Sequence, residues 1–257
     1  MVKKKITTER NLTDQHSSMG EMLSELHKGM VLSKKSKKQD LELKTVIDNI
    51  SKHINHLHKE DDFYIETKTR IRHKDVMDYM VDLHRISDAF DHTYDDGFMS
   101  PDGGIVWLVR KNHYQDRFPL LISERKSQGT NDKIVANGGS EQAKGNAIER
   151  LSKNLKISNL LFMFEDIHPF VVFGSGCDFK EGSSILGRVS AMNNFLPLND
   201  IDINKKYITS KKSGEKRVLD SSVMMFRNDE WKTDEIYQTI SQVLEQSISY
   251  YRNKYDF

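Results

Sequence analysis

Two short apolar runs stand at the middle of the chain. Ile105 to Val109 and Phe118 to Ile122 are continuous apolar or β-branched stretches bounded by Gly, Pro, Asn and Asp. That pattern predicts two strands joined by a polar connection, Arg110 to Arg117. His168 to Phe173 predicts a third, buried strand, and Val218 to Phe226 is apolar enough for another. Elsewhere the apolar positions recur at helical spacing. Leu43, Val46, Ile47, Ile50, Ile54 and Leu57 form one amphipathic stripe; Val76, Met80 and Leu83 form a second within Lys74 to Ile86. Met19, Met22, Leu23 and Leu26 mark a helix within Asp14 to Leu32, and Ile236, Ile240, Val243, Leu244 and Ile248 mark the last one. Between the second and third strands, Ile148, Leu151 and Leu155 set one face of a helix on the core. It extends loosely to about Phe164, although Leu160 to Phe164 taken alone also suits a strand. Strand, helix, strand implies a crossover and a parallel pair, hence an α/β architecture.

The polar positions attached to the first two strands carry the candidate chemistry. Asp102 stands where the first strand begins, in Pro101-Asp102-Gly103-Gly104. Glu124 and Lys126 stand at the end of the second. Side chains two apart on a strand share a face, so Glu124 and Lys126 point together and Arg125 points away. Pairing of the strands brings Asp102 to that face as well. Two carboxylates suit a hard cation such as Mg²⁺, which keeps several waters and needs only one or two carboxylates. A cation so held can activate water and stabilise a departing oxygen at a phosphodiester, and a lysine beside it can contact the phosphate or the water. The pattern is weak by itself, because an acid followed two residues later by lysine is common surface charge. Its position directly after an apolar strand is what raises it.

Composition narrows the class without naming a partner. At 257 residues the chain is long enough for a sizeable core, and one domain over 1–257 is the default, with residues 1–12 a mobile basic arm. Against 39 basic residues stand 38 acidic ones, so bulk charge does not announce nucleic acid and only its distribution can. The lone cysteine, Cys177, excludes an internal disulfide and fits a reducing cytoplasm. No apolar run is long enough to span a bilayer. Cys177 has no His or Asp suggested beside it and reads as structural rather than nucleophilic. His53, His56 and His58 cluster on one helix, but their spacing is not that of a helical zinc pair, so they read as surface residues. The lysine-rich stretch Ser33 to Lys38 reads as a loop, and Asn204 to Arg217 as a hairpin or loop.

Four stretches taken together resemble the EcoRI-type restriction endonucleases. They are Leu12-Thr13-Asp14-Gln15-His16, Pro101-Asp102-Gly103-Gly104-Ile105-Val106, Glu124-Arg125-Lys126-Ser127-Gln128-Gly129, and Gly145-Asn146-Ala147-Ile148-Glu149-Arg150 continued by Lys153-Asn154. Weaker similarity continues from His168 to Cys177 and toward Trp231. The catalytic motif alone is unspecific; joined to Gly-Asn-Ala-Ile-Glu-Arg it is strong.

The resemblance implies the PD-(D/E)xK nuclease fold, an α/β fold around a mixed five-stranded sheet flanked by helices. It also implies a homodimer that cuts both strands of a double-stranded palindromic DNA site with Mg²⁺, paired in the cell with a DNA methyltransferase. By this resemblance Asp102 and Glu124 ligate Mg²⁺, and Lys126 positions the water and compensates the phosphate. Asn146, Ala147 and Arg150 touch base edges in the major groove, and Glu149 buttresses them across the dimer. Asparagine suits bidentate contact with adenine and arginine suits guanine, which agrees with that role. Two positions depart from the family pattern. Gln142 replaces an apolar methionine near the outer base pair, and Arg188 stands alone where the family shows two arginines. The implied site therefore has an AATT centre, with GAATTC or the relaxed RAATTY as the full sequence. A structure-specific nuclease on the same core and a DNA-binding protein that no longer cuts are the competing readings. The Gly-Asn-Ala-Ile-Glu-Arg segment argues against the first, and the intact Asp102, Glu124 and Lys126 against the second.

Overall fold

The computed structural model describes residues 37–84, 97–113, 116–127, 146–176, 199–203, 222–227 and 229–257, with side chains omitted at 80–84, 146–150, 199–203, 224 and 226. The chain divides into a short unit, Met1–Leu41, and a large one, Glu42–Phe257. Within the short unit residues 37–41 are helical, so Lys37 and Lys38 belong to a helix rather than to the expected loop. The expected basic arm and the helix over Asp14 to Leu32 lie outside the described residues, as do Cys177 and the Asn204 to Arg217 segment.

The large unit is built on one mixed sheet. Its strands are β1 (Phe63–Lys68), β4 (Ile105–Arg110), β5 (Arg117–Ser127), β6 (Phe170–Ser175), β7 (Asn199–Ile203) and β8 (Ser222–Arg227). They lie in the order β1-β4-β5-β6-β8-β7. Neighbours among β1, β4 and β5 run antiparallel, and β5, β6, β8 and β7 run parallel. The expected mixed sheet of five strands is present in β1-β4-β5-β6-β8, and β7 extends it by one at the edge. A two-stranded antiparallel ribbon, β2 (Ile71–Arg72) with β3 (Phe98–Met99), stands beside it.

Helices cover both faces, as a sheet with a parallel half requires. A helix over residues 42–57 (α1) and the C-terminal helix α4 (Thr233–Tyr255) pack on one face. There Leu43, Ile47 and Ile50 from α1 and Ile240, Val243, Leu244 and Tyr251 from α4 meet Val106, Leu108, Phe118, Leu121, Val171 and Phe173 of the sheet. Helices α2 (His73–His84) and α3 (Asn146–Leu161) cover the other face, where Val76, Leu151 and Leu155 meet Ile105, Trp107, Ile122 and Val172. The crossover β5-α3-β6 makes the parallel pair that the sequence implied.

Three local expectations change. Leu57 continues the helical stripe of α1, yet it is 63% exposed. Residues 160–164 complete α3 and then turn, so the strand alternative for them fails. Strand β1 was not anticipated, although Phe63 and Ile65 alternate inward in the manner of a half-buried strand. The turn after α3 carries Glu165, whose carboxylate is enclosed and accepts from Lys254 Nζ at 2.8 Å and from the hydroxyls of Tyr250 and Tyr255 at 3.0 Å each. That carboxylate fastens the far end of α3 to α4.

Candidate active site

Strand β5 brings the site together because its end alternates between two environments. Ile122 packs under α3, so Glu124 and Lys126, two and four residues on, face the same side. Arg125 faces the opposite side and is buried there. Its guanidinium donates to Glu42 Oε2 at 3.0 Å and to the Trp231 carbonyl at 3.2 Å. Trp231 in turn donates its indole N–H to the Gly174 carbonyl at 2.8 Å and lies under Arg227, whose guanidinium carbon is 3.8 Å from the ring centre. The residue between the two candidate catalytic side chains thus locks the strand to the helices behind it.

Asp102 reaches the same place from a turn before β4. The Gly104 amide donates to the Pro101 carbonyl at 3.0 Å, and the Gly103 amide donates to the Ser123 carbonyl at 3.0 Å. Both glycines are required. Gly104 has φ +78°, a left-handed conformation, and a Cβ there would lie 2.8 Å from the Lys68 carbonyl oxygen. A Cβ on Gly103 would lie 2.1 Å from Ser123 Oγ and 2.6 Å from Ile47 Cδ1. The turn therefore sits tight on β5, and Asp102 Oδ2 accepts the Arg125 amide at 3.0 Å.

Lys126 closes the cluster. Its ammonium donates to Asp102 Oδ2 at 2.6 Å and to Glu124 Oε2 at 2.5 Å. The other Glu124 oxygen, Oε1, accepts from the Asn154 side-chain amide on α3. Glu124 is fully buried. Burial, the largest influence, raises its carboxyl to about 7 despite the pull of Lys126, and the neighbouring Asp102 charge adds to the rise. Burial also works against Asp102, but Lys126 and the hydrogen bonds it accepts hold its carboxyl below the ordinary value. Burial opposes the charge on Lys126 too, and the two carboxylates outweigh it and raise the ammonium. The two acids are driven apart by environment, and one lysine bridges them.

The donor set suits a hard divalent cation. Asp102 and Glu124 present carboxylate oxygens to one volume, and Asp102 retains 22% side-chain exposure toward solvent. Among the described residues no three His, Cys, Asp or Glu side chains converge as a cage. The chain would thus supply two anionic ligands and leave the remaining positions to water and phosphate oxygen, the arrangement Mg²⁺ favours. His53, His56 and His58 form no such group; His58 Nδ1 pairs with Asp61 Oδ2 at 2.7 Å.

The residues expected to read bases are placed less fully. Asn146, Ala147, Glu149 and Arg150 form the start of α3, with backbone described and side chains not. Gln142 and Arg188 lie outside the described residues. Asn154, which the sequence offered only as a continuation of the Gly-Asn-Ala-Ile-Glu-Arg stretch, is the contact that sequence reasoning gave no role. Its signal is spacing: it stands eight residues, about two turns, beyond Asn146 on the helix that packs over Glu124.

Comparison with known proteins places the chain in a family. The family model described as restriction endonuclease EcoRI matches residues 27–185, which is more than half of the chain. The match includes Asp102, Glu124, Lys126, Gln142 and the start of α3, and it stops short of Arg188. The type II restriction enzyme EcoRI of Escherichia coli is 32% identical over 143 residues, covering 44% of this chain and 50% of that enzyme. The chain thus spans about half the length of the curated relative it matches. No helix among the described residues is long and apolar enough to cross a membrane. With the matched segment holding both the acidic pair and the lysine that bridges it, the chain belongs to the EcoRI family of restriction endonucleases, whose chemistry calls for a divalent metal cation.

Proposed function

We propose that this protein is a type II restriction endonuclease that makes Mg²⁺-dependent staggered double-strand cuts at a palindromic DNA site with an AATT centre, leaving 5′-phosphate and 3′-hydroxyl ends. The observation that carries this reading is the ammonium of Lys126 held at 2.6 and 2.5 Å from the carboxylates of Asp102 and Glu124 at the end of β5. Asp102 and Glu124 would hold the cation, and Lys126 would move from bridging them to contact the scissile phosphate and orient the attacking water. A Mg²⁺ held by Asp102 and Glu124 would lower the pKa of a bound water and offset charge on the departing oxygen. The water oxygen would bond to phosphorus and give up one proton to solvent as the bond to O3′ breaks, and the 3′ oxygen would take one proton from solvent.

For specificity, the retained Asn146, Ala147, Glu149 and Arg150 support a strict AATT centre. A bidentate base contact is worth about 1–3 kcal/mol of discrimination, and two-fold symmetry doubles it. GAATTC is the expected full site. Gln142 both donates and accepts hydrogen bonds, so acceptance of either purine, giving RAATTY, is the alternative that Gln142 favours. Digestion of a library with every base randomised around the cut reads the outcome directly. Cleaved ends carrying AATT are expected; ends without it sink the assignment of the α3 segment. Ends with AATT and a free outer base sink only the assignment of Gln142 and Arg188.

A palindrome presents two identical half-sites, which calls for a two-fold protein. The reading is therefore of one endonuclease domain acting as a homodimer in the cytoplasm, paired with a methyltransferase that protects the host's own copies of the site. Sedimentation is expected to show a dimer at micromolar concentration without DNA. A monomer both free and on DNA would contradict it.

A further inference from the structure

The contact from Asn154 to Glu124 joins two parts of the molecule that the family reading treats separately. Helix α3 is continuous from Asn146 to Leu161. Its first turn holds the residues assigned to base reading. About two turns later, Asn154 donates its amide to Glu124 Oε1. Leu151 and Leu155 beside it are fully buried against Ile105, Ile122 and Val172, so the middle of the helix sits directly on the sheet beside the acidic pair.

The two oxygens of Glu124 are used differently. Oε2 faces Lys126, which also bridges Asp102, so Oε2 is on the side where a cation shared with Asp102 would lie. Oε1 is taken by a neutral amide that brings no charge of its own. A carboxylate has about four lone-pair sites, so holding Oε1 fixes the plane of the group and leaves Oε2 directed at Asp102. Partners of this kind orient metal ligands elsewhere, and their loss typically costs about 10–100-fold in metal affinity or activity.

We propose that Asn154 is a positioning residue for Glu124, and that through it the affinity of the acidic pair for a divalent cation depends on where α3 lies. A helix displaced at its first turn by a mismatched base pair carries Asn154 with it and turns Glu124 away from Asp102. A correct base pair leaves the pair aligned. The second part of this inference rests on the restriction reading; the first does not.

Two variants separate positioning from packing. Asn154→Leu keeps the volume and removes the donor; Asn154→Gln keeps the donor on a longer arm and crowds the site. The readout is Mn²⁺ binding to the full-length protein without DNA, followed by the electron paramagnetic resonance signal of free Mn²⁺, with thermal denaturation as the check on folding. Asn154→Leu is expected to weaken Mn²⁺ binding about 10–100-fold, and Asn154→Gln by less. Equal binding by wild type and Asn154→Leu overturns the proposal. So does a weaker affinity in Asn154→Gln than in Asn154→Leu, which is the order that packing predicts. The coupling is read from cleavage of AATT against a duplex with one inner pair changed. Asn154→Gln is expected to narrow the ratio of the two cleavage rates while the ratio of binding affinities stays unchanged. If both ratios stay unchanged, the coupling to α3 fails. If wild type cuts neither duplex specifically while the Mn²⁺ order holds, the restriction reading falls and the positioning role stands.

Discussion

Glu124→Gln, Asp102→Ala and Lys126→Ala are each expected to lose plasmid cleavage while retaining specific binding. Glu124→Gln is the sharpest of the three, since it changes one atom and leaves the strand, the turn and α3 in place. It removes a negative charge from a fully buried position and with it a ligand for the cation. Lys126→Ala removes the group that bridges both acids at 2.6 and 2.5 Å and leaves two carboxylates facing each other. Loss of metal or phosphate stabilisation costs several kcal/mol of barrier, and at about 1.4 kcal/mol per tenfold this is roughly a thousandfold in rate. Single-turnover cleavage measures it, beside a mobility shift without metal that reports binding alone. Near-normal cutting by Glu124→Gln would remove that residue from the metal site.

Gly103→Ala is expected to damage both fold and site. The added carbon would lie 2.1 Å from Ser123 Oγ and 2.6 Å from Ile47 Cδ1, and both neighbours are fully buried. Overpacking of this kind costs about 1–3 kcal/mol. Unless the Ser123 and Ile47 side chains give way, the turn relieves it by lifting off β5, which stretches the bond from the Arg125 amide to Asp102 Oδ2. Cleavage should therefore fall along with the melting temperature. Ser123 Oγ has no hydrogen-bond partner among the described residues, so its removal leaves nothing buried and unpaired. Gly103→Ala combined with Ser123→Ala is then expected to recover part of the lost stability. A single variant as stable and active as the wild type would show that the turn does not rest on the strand.

The sequence carried the centre of the molecule well and its edges poorly, for physical reasons. Strands β4, β5 and β6 are buried on both faces, so their apolar runs are unbroken and legible. The shared face of Glu124 and Lys126 follows from strand alternation alone. The edge strand β7 reads Asn-Asp-Ile-Asp-Ile, and such a composition does not separate a strand from a turn. Leu57 has the right spacing and is nevertheless exposed, because periodicity records a stripe and not what covers it. Asn154 was legible only as a polar residue on a helix; its meaning needed the register of α3 over β5. Likewise Arg125 could be sent to the opposite face by alternation, but Glu42 and the Trp231 carbonyl, 83 and 106 residues away, could not be foreseen as what meets it there.

The irregular pairing of β4 with β5 has a consequence for how such a chain can change over time. Val106 pairs with Leu121 and Trp107 with Pro119, so Leu120 is an additional residue in β5. Phe118, Leu120 and Leu121 all pack toward α1 and α4, and from Leu121 onward the alternation runs in the opposite phase. That one residue is why Glu124 meets Asn154, why Lys126 shares its face, and why Arg125 meets Glu42. Deleting it would exchange the two sets, sending the acid and the lysine into the apolar layer and the arginine into the site, since a shift of one residue turns every side chain to the other face. The connection from Arg110 to Arg117 can lengthen or shorten at little cost. Between Pro119 and Lys126 a change of length by a single residue reverses the faces, so the segment that holds the chemistry tolerates such a change far less than the connection before it.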